Sequence, residues 1–377
     1  MNPEGPASGA GLNRLYIIAG EPSGEAHAAH VVRALKLQQP AIEIRGMGGD
    51  AMAAEGVGLV EHVRNTSIMG FAEVIGKLGF IRALMERIKA DIMTFNPNRI
   101  LLVDYPGFNL RLATWARQKG FSTDMYIAPQ VWAWKRHRIH RMARDLDRLY
   151  VILPFEAPHY DEVDLTVEYV GHPLADVIEA PKQTHRNGEA WRKAHGLPAD
   201  APLLALLPGS RPQEIQRMLP VLEDAARLIP DLVPVIAGAP GRSREDYDTD
   251  LTVLFGQTAM LYRTATAGII TSGTATLEAA LHGLPQVVAY KTSGFTYRLA
   301  KWYTQVRFIS LVNLVLDEAA VPERIQGACH PHALAATLKE TITDQGLQAQ
   351  REHHSNLRKI LAGKGAAEAV ARGIMRG

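Results

Sequence analysis

The sequence predicts an α/β protein made of two Rossmann-like domains whose parallel sheets face a central cleft. Three observations predict this fold. Short apolar segments alternate with helical patterns along most of the 377 residues. The alternation lapses in a polar stretch at about 177–200 and then restarts. Small-residue turns containing glycine follow several apolar segments, and open parallel sheets bind their ligands at those strand ends.

Six segments in the N-terminal half have the length and the apolar, β-branched content of strands. They are Leu15–Ala19, Ile42–Arg45, Arg99–Val103, Thr123–Ile127, Leu149–Ile152 and Val167–Val170. Helical patterns such as 27–38 and 111–119 separate most of them, which indicates a parallel sheet covered on both faces. We expect an N-terminal domain at 14–180, preceded by a disordered leader at 1–13 that is small, polar and contains glycine and proline.

The alternation restarts after the polar stretch. Four further strand segments follow, at Leu203–Leu207, Val233–Ala237, Gly268–Thr271 and Gln286–Tyr290, with helices expected at about 213–228 and 274–282. They predict a second Rossmann-like domain at 181–364. The alanine-rich segment 365–376 predicts a last helix that returns to pack on the N-terminal domain.

Composition excludes several function classes. Lys plus Arg exceed Asp plus Glu by 41 − 39 = 2, so the net charge does not favour a nucleic-acid partner. The single cysteine, Cys329, cannot form an intramolecular disulfide, which fits a cytoplasmic protein. The sequence has no run of eighteen apolar residues and no signal-peptide pattern, so we expect any membrane contact to be peripheral.

Two small-residue turns in the C-terminal domain predict an anion site. One is Leu207–Arg211 and contains Gly209 and Ser210; the other is Thr271–Thr274 and contains Ser272 and Gly273. Backbone N–H groups at the helix starts, together with the guanidinium of Arg211, suit phosphate, and two adjacent turns suit a diphosphate. Glu278 is placed to accept hydrogen bonds from ribose hydroxyls. The alternatives are a solvated arginine and a helix-dipole carboxylate.

A carboxylate ends a strand of the N-terminal domain. Asp104 follows Ile100–Val103 and precedes Tyr105–Asn109. At a sheet edge such a group can take a proton from an attacking hydroxyl, although an aspartate before Pro-Gly is often only a turn residue. Aromatic and basic residues crowd 129–144, which predicts either a site for an anionic acceptor or a solvated basic helix face.

The segment Ile68–Arg87 is apolar over much of its length, with basic residues spaced along it and three glycines. A core-facing helix is one interpretation. The other is a hydrophobic flap that contacts acyl chains at a membrane surface. In the flap interpretation, the lipid-facing residues are Ile68, Met69, Phe71, Val74, Ile75 and Leu78.

Other nucleotide and metal chemistries lack their sequence patterns. The chain has no Gly-x-x-x-x-Gly-Lys-Ser/Thr, and the turn Gly20–Glu25 departs from Gly-x-Gly-x-x-Gly, so kinase-like ATP use and dinucleotide binding lose support. No compact cluster of acidic residues and histidines is present. We therefore expect neither a metal nor another cofactor.

Nine motifs follow one another along the chain. They are Ala19–Glu25, Ser67–Val74, Asp104–Asn109, Pro129–Trp134, Leu153–Glu156, Tyr169–Pro173, Leu207–Arg211, Ser272–Glu278 and Ser310–Leu314. In this order they resemble the lipid-A-disaccharide synthase family, inverting glycosyltransferases of the GT-B architecture. The resemblance extends from about Leu15 to the C-terminal helix.

The resemblance implies a reaction and its substrates. The enzyme would transfer 2,3-diacylglucosamine from its UDP derivative to the 6-hydroxyl of 2,3-diacylglucosamine 1-phosphate, giving the β-1,6 disaccharide 1-phosphate and UDP. UDP-sugar would be a substrate, with no metal or cofactor. The flap at Ile68–Met85 resembles the family's membrane-contacting region, which implies a cytoplasmic protein peripherally associated with the inner membrane. The oligomeric state stays open.

The resemblance also implies residue roles. Asp104 resembles the family's proposed general base. The expected donor and UDP contacts are Gly209, Ser210, Arg211, Ser272, Gly273, Thr274, Glu278 and Asn313. The expected acceptor contacts are Ser23, Gly24, Gln130, Trp132 and Arg136.

Two positions depart from the family pattern. The family usually has Asp where this chain has Glu25, and Pro where it has Val312. Three other functions compete with the family assignment. They are another UDP-sugar enzyme of the same architecture or a UDP-sugar 2-epimerase with a soluble substrate, a non-catalytic UDP- or lipid-binding protein, and an NAD-dependent oxidoreductase with an atypical glycine turn.

Overall fold

The computed structural model describes residues 12–67, 78–132, 137–178, 186–292, 307–361 and 365–376. The chain falls into two compact units. One comprises Met1–Asp176 with Ala362–Gly377, and the other is Val177–Leu361. The sequence places this boundary between residues 180 and 181, a few residues further along the chain. Of the expected leader, the structure describes only residues 12 and 13.

A sheet of seven parallel strands forms the centre of the N-terminal unit in the part of the chain that the structure describes. The strands are β1 (Arg14–Ala19), β2 (Glu43–Gly48), β3 (Gly58–His62), β4 (Arg99–Val103), β5 (Ser122–Tyr126), β6 (Arg148–Val151) and β7 (Thr166–Tyr169). Their order across the sheet is β3-β2-β1-β4-β5-β6-β7. β3 is not evident from the sequence, because only one of its five residues is buried and it therefore lacks an apolar run.

Helices cover both faces of this sheet. They are α1 (Pro22–Gln38), α2 (Asp50–Ala54), α3 (Arg64–Ser67), α4 (Leu78–Phe95), α5 (Pro106–Gln118), α6 (Arg138–Asp145) and α7 (Pro173–Val177). Alternate residues of β1 enter different cores. Leu15 and Ile17 pack with the buried residues of α1, whereas Tyr16 and Ile18 pack with those of α4 and α5. Burial on both faces explains why the central strands are continuous apolar runs in the sequence.

The C-terminal unit has a second parallel sheet, of six strands in the described residues. They are β8 (Leu203–Leu207), β9 (Val233–Gly238), β10 (Thr252–Phe255), β11 (Ala267–Thr271), β12 (Gln286–Tyr290) and β13 (Glu323–Ile325), in the order β10-β9-β8-β11-β12-β13. The helices are α8 (Arg186–Ala194), α9 (Pro212–Arg227), α10 (Thr258–Thr264), α11 (Thr274–Leu281), α12 (Leu311–Leu316), α13 (Pro331–Thr341) and α14 (Asp344–Leu361). The edge strands β10 and β13 are short and incompletely buried, and the sequence analysis does not predict them.

The last helix, α15 (Ala366–Met375), belongs to the N-terminal unit, where the sequence analysis expects it. It packs on α1, and Val370 and Ile374 are buried in the same core as Leu15. A Cβ on Gly373 would lie 2.6 Å from the Tyr150 ring, so a residue with a side chain would push α15 away from the sheet. Among the described residues, no helix combines the length and the apolar content that a bilayer crossing requires.

Candidate active site

The two turns predicted to bind phosphate start side by side in the C-terminal unit. β8 and β11 are parallel neighbours, and their register pairs Leu207 with Ile270. The turns that follow therefore leave the same edge of the sheet, with their strands about 5 Å apart. The strand order also changes direction between β8 and β11. Doubly wound sheets bind their ligands at this position.

The first turn already contains an anionic side chain. Glu214, in the first turn of α9, accepts hydrogen bonds from the backbone N–H groups of Ser210 and Arg211 at 3.2 and 3.3 Å. Gly209 has a φ of +115°, and a Cβ there would lie 2.7 Å from the Glu214 Cβ, so the turn requires glycine. The sequence predicts that these N–H groups donate hydrogen bonds to a phosphate, whereas in the structure they donate to the Glu214 carboxylate. The Arg211 guanidinium, 82% exposed, is open to a phosphate.

The second turn has open space at its centre. Gly273 precedes the first residue of α11, and among the described residues no atom lies within 4 Å of the position that its Cβ would take. The Ser272 hydroxyl donates a hydrogen bond to the Ile309 carbonyl at 2.9 Å, and the Thr276 hydroxyl donates to the Gly273 carbonyl at 2.9 Å. Gly273 and Thr274 are exposed. No described side chain would therefore be displaced by an anion at the start of α11.

Glu278 lies one turn further along α11. Its carboxylate is half-buried, and no hydrogen-bond or ion-pair partner for it occurs among the residues that the structure describes. Burial raises the pKa of Glu278 above the usual range of a carboxyl group. A partly buried carboxylate without a partner is costly, and ligand hydroxyls that donate hydrogen bonds to it would offset this cost.

Asn313 has an internal role in the structure. Its side-chain Nδ2 donates to the Val321 carbonyl at 2.9 Å and to the Glu323 carboxylate at 3.0 Å, and its Oδ1 accepts from the Val321 N–H at 2.9 Å. Glu323 also accepts from the N–H groups of Ile309 and Ser310. This network fixes the segment that Ser272 contacts. The Asn313 side chain is 1% exposed, so contact between its amide and the donor stays a prediction that would require this network to open.

Val312, where the family usually has proline, is completely buried. It lies in the first turn of α12, which Ser310 caps by accepting a hydrogen bond from the Asn313 N–H. An apolar core position in a helical first turn accommodates valine or proline. This departure therefore leaves the local backbone intact.

In the N-terminal unit, the expected general base lies where β4 ends. Asp104 and Tyr105 both have left-handed backbones, with φ of +48° and +49°. Such conformations are costly for residues with a side chain and cluster at functional sites. Burial, reinforced by the nearby negative charge of Glu21, raises the pKa of Asp104 to about 6. A carboxylate with this pKa is mostly ionised at neutral pH and is a stronger base than an ordinary aspartate.

Asn109 holds this strained turn in place. Its Nδ2 donates hydrogen bonds to the carbonyls of Val103 and Asp104 at 3.3 and 2.7 Å. The side chain is completely buried, and its Oδ1 has no hydrogen-bond partner among the described residues. Asn109 belongs to the motif Asp104–Asn109, which does not by itself predict a role for it. Its signal in the sequence is its place five residues after Asp104, within the motif Asp104–Asn109.

The start of α1 lies directly beside this turn. β1 and β4 are neighbours at the point where the strand order reverses. A Cβ on Gly20 would lie 2.2 Å from the Tyr105 ring, and one on Gly24 would lie 3.7 Å from the Asp104 Cβ. Ser23 is exposed and Gly24 is buried. The structure thus brings Ser23, Gly24 and Asp104 together.

Glu25 points away from this group. Its Oε1 accepts a hydrogen bond from the Met52 N–H at 2.8 Å, in the first turn of α2, and its side chain contacts Gly49. The carboxylate is 8% exposed and satisfies a backbone donor of that helix. The glutamate that replaces the family's usual aspartate therefore connects α1 to α2.

The ends of β5 and β6 supply further residues at the same edge. Ile127 has a φ of +66°, which is a strained conformation for a β-branched residue. Gln130, shortly after it, is exposed, and Trp132 is half-buried with its ring edge-on to Phe155 at 5.1 Å between centroids. Arg136 lies outside the described residues.

Glu156 is a buried carboxyl group near Trp132 that the sequence analysis does not single out. It accepts hydrogen bonds from the N–H groups of Ile152 and Leu153 at 3.1 and 2.9 Å. Burial raises its pKa to about 7. Its only signal in the sequence was the motif Leu153–Glu156, directly after a strand.

Two basic residues of α6 have partners within the N-terminal unit, and one of them, Arg141, reaches α5. Arg141 donates to the Leu110 carbonyl at 2.9 Å and contacts Thr114. Arg144 donates to Asp145, which is buried and has a lowered pKa because it accepts hydrogen bonds from Arg144 and Thr114. Both cations therefore have protein partners, although their side chains are 42% and 64% exposed.

The predicted lipid-facing residues fall mostly outside the described part. Ile68, Met69, Phe71, Val74 and Ile75 are not described, and Leu78 is described only as the first residue of α4. Just beyond it, Phe80 is 39% exposed and Arg82 is exposed. Among the described residues, no group of three or more histidine, cysteine or acidic side chains is arranged to hold a metal ion.

Comparisons with known proteins agree with this architecture. A family model described as Lipid-A-disaccharide synthetase matches residues 15–375. Lipid-A-disaccharide synthase 1 of Legionella pneumophila subsp. pneumophila, strain Philadelphia 1, is 40% identical over 344 residues, covering 88% of each chain.

Solved structures share the fold at low identity. The glycotransferase of kitacinnamycin aligns with a TM-score of 0.63 at 17% identity, over 96% of this chain and 98% of that one. The UDP-GlcNAc 2-epimerase of Methanocaldococcus jannaschii, in complex with UDP-GlcNAc and UDP, aligns with a TM-score of 0.64 at 13% identity, over 97% and 100%. These likenesses confirm the predicted two-domain α/β fold of GT-B glycosyltransferases. Together with the match over nearly the whole length, they establish that the chain belongs to the lipid-A-disaccharide synthase family.

Proposed function

We propose that this protein transfers 2,3-diacylglucosamine from its UDP derivative to the 6-hydroxyl of 2,3-diacylglucosamine 1-phosphate. The products are the β-1,6-linked disaccharide 1-phosphate and UDP. The observation that carries the residue-level proposal is the carboxylate of Asp104, held in a strained turn with a pKa raised by burial to about 6. The family assignment favours this transfer over 2-epimerisation, NAD-dependent oxidation or non-catalytic binding.

The chemistry needs one base and a stabilised leaving group. Asp104 takes the proton of the acceptor 6-hydroxyl while the oxygen attacks the anomeric carbon from the face opposite UDP. The bond from that carbon to the UDP oxygen breaks, the configuration inverts, and UDP leaves with the bonding electrons. The proposal requires Asp104 and the donor to meet in one substrate complex.

The leaving group is stabilised by charge in the C-terminal unit. The exposed guanidinium of Arg211 and the open start of α11 at Gly273 and Thr274 interact with the diphosphate, whose negative charge grows as the bond breaks. Glu278 accepts hydrogen bonds from the ribose hydroxyls, which gives its half-buried carboxylate hydrogen-bond partners. UDP is then a good enough leaving group without a second acid, and we propose that the reaction needs no metal.

The acceptor lies on the N-terminal unit. Ser23 and Gly24 beside Asp104, together with Gln130 and Trp132, contact the acceptor sugar and its phosphate, with Arg136 as a cationic partner. Residues 68–78 contact the acyl chains at the membrane surface, which allows a protein to reach substrates that stay in the bilayer. The proposal therefore includes peripheral association with the inner membrane.

The direct test is product formation. Purified protein is incubated in detergent with UDP-diacylglucosamine and diacylglucosamine 1-phosphate, and both UDP and the disaccharide phosphate are measured. We expect equimolar products, and loss of both in Asp104→Asn with UDP binding retained. UDP release without the disaccharide, or full activity of the Asp104→Asn variant, would contradict the proposal.

A further inference from the structure

The two phosphate turns of the C-terminal unit differ in charge. At the first turn, the Glu214 carboxylate accepts hydrogen bonds from the backbone N–H groups of Ser210 and Arg211 at 3.2 and 3.3 Å. A bound anion would use the same donors. At the second turn, the space around Gly273 is open and no carboxylate takes the equivalent position in the described part of the chain. Within the described residues, a side-chain carboxylate therefore accepts hydrogen bonds from the backbone N–H groups of the first turn and not from those of the second.

Glu214 also lies close to the cation that the donor needs. Its Oε1 is 3.5 Å from Nη1 of Arg211, whose guanidinium is largely exposed, while Glu214 itself is mostly buried. A phosphate held by Arg211 therefore comes within a few ångströms of a fixed negative charge. Repulsion at this distance in a partly desolvated site changes binding constants measurably.

We propose that Glu214 is a specificity-determining residue that disfavours free UDP relative to the UDP-sugar donor. The inference rests on the proposed function. In the donor, the terminal phosphate is a diester-like group with one negative charge. In free UDP, the same phosphate loses a second proton near pH 6 and carries close to two charges at pH 7.5. Glu214 therefore repels the product more strongly than the substrate, which promotes product release.

An ordinary helix cap is the competing explanation. Glu214 is the third residue of α9, and its carboxylate reaches back to the residue that precedes the helix, as in a capping box. A cap would affect the free energy of unfolding and would alter affinity for donor and product equally. A charge effect changes the ratio of the two affinities, and the change depends on pH, because the terminal phosphate titrates near pH 6 in the product and not in the donor.

The test compares the inhibition constant of UDP with the KM of the donor at pH 7.5. In Glu214→Gln and Glu214→Ala, we expect the ratio of Ki to KM to fall about three- to tenfold, because the repulsion specific to the product is removed. Calorimetric titration with UDP should show the same gain in affinity. The gain should shrink at pH 5.5, where the terminal phosphate of UDP is mostly singly ionised.

Asp246→Asn is the matched control. Asp246 accepts the N–H of Ser243 at 2.9 Å in a capping box of the same unit, so this variant removes the charge of a comparable capping carboxylate. We expect its Ki to KM ratio to match that of the unaltered protein. An unchanged or increased ratio in both Glu214 variants would overturn the inference while leaving the proposed function standing. Absence of UDP binding by the unaltered protein would instead refute the proposed function and this inference with it.

Discussion

The pH dependence of turnover tests whether Asp104 is the base. Burial raises its pKa to about 6, and a general base must be ionised to act. With a pKa of 6, the ionised fraction is about 0.9 at pH 7 and about 0.09 at pH 5, so kcat/KM should fall about tenfold between these pH values. A carboxyl group with an ordinary pKa near 4 would lose only about a tenth of its ionised form over the same range.

The profile is measured as UDP release under kcat/KM conditions from pH 4.5 to 8.5 at constant ionic strength. Glu21→Gln removes a negative charge that raises the pKa of Asp104, so the acidic limb should move to lower pH by a few tenths of a unit. Glu156→Gln is the control, because burial raises the pKa of Glu156 to about 7 and it could produce a similar limb. A flat profile down to pH 5, or a limb that disappears in Glu156→Gln, would refute the assignment to Asp104.

Ionisation of Asp104 has opposite effects on activity and on the free energy of unfolding. The pKa of Asp104 is raised in the folded protein, so the folded state favours the protonated form. Its contribution to the free energy of unfolding is present below the unfolded pKa near 4 and is lost as the pH rises through about 6. Urea titrations at pH 4.5 and 7.5 should show Asp104→Asn gaining stability relative to the unaltered protein only at the higher pH. The site is thus more active where this residue makes the fold less stable.

Three further predictions address the phosphate site, a helix cap and the membrane contact. Arg211→Ala should weaken UDP binding by about 1.5 to 3 kcal/mol, the usual range for a charged hydrogen bond; unchanged affinity in a calorimetric titration would exclude Arg211 from the phosphate site. Glu25→Ala should lower the free energy of unfolding by about 0.5 to 2 kcal/mol, because the Met52 N–H loses its acceptor. In urea titrations the control Glu86→Ala, at an exposed residue, should change this free energy little. An equal loss of stability in both variants would contradict the capping role of Glu25. Replacing Phe71, Ile75 and Leu78 together with serine should reduce sedimentation with vesicles while the protein stays folded. The control Leu37→Ser, at a residue of α1 that is 79% exposed, should leave sedimentation unchanged. Unfolding of the triple variant would instead indicate that these residues lie in a core.

The central strands could be predicted from the sequence, and the edge strands could not. β4 and β8 are buried along their whole length, and every residue in them is apolar except Arg99, which forms an ion pair with the buried Asp124. β3 and β13 lie at sheet edges, where solvent relaxes the requirement for apolar side chains. The last helix, residues 366–375, could be predicted because the segment is rich in alanine and its branched residues follow a helical period.

The sequence predicts where the residues of the candidate site lie better than it predicts which groups they contact. The turns after β4, β8 and β11 follow from strand ends and small residues, which are local signals. Glu214 accepts hydrogen bonds from the N–H groups of Ser210 and Arg211. These contacts depend on a side-chain conformation, which the local sequence does not specify. The internal network around Asn313 depends on Glu323, ten residues away on another element. A motif specifies which residues are close in the chain and leaves their partners undefined.

The return of α15 to the N-terminal unit affects the order in which the protein can fold during synthesis. Val370 and Ile374 complete the core beneath α1, so the unit that begins the chain lacks part of its interior until residues 366–375 have been made. The unit Val177–Leu361 is a continuous insertion whose residues are all available earlier. The nascent chain can therefore finish its second unit before its first, and a premature stop near the end would damage the half of the molecule that was translated first.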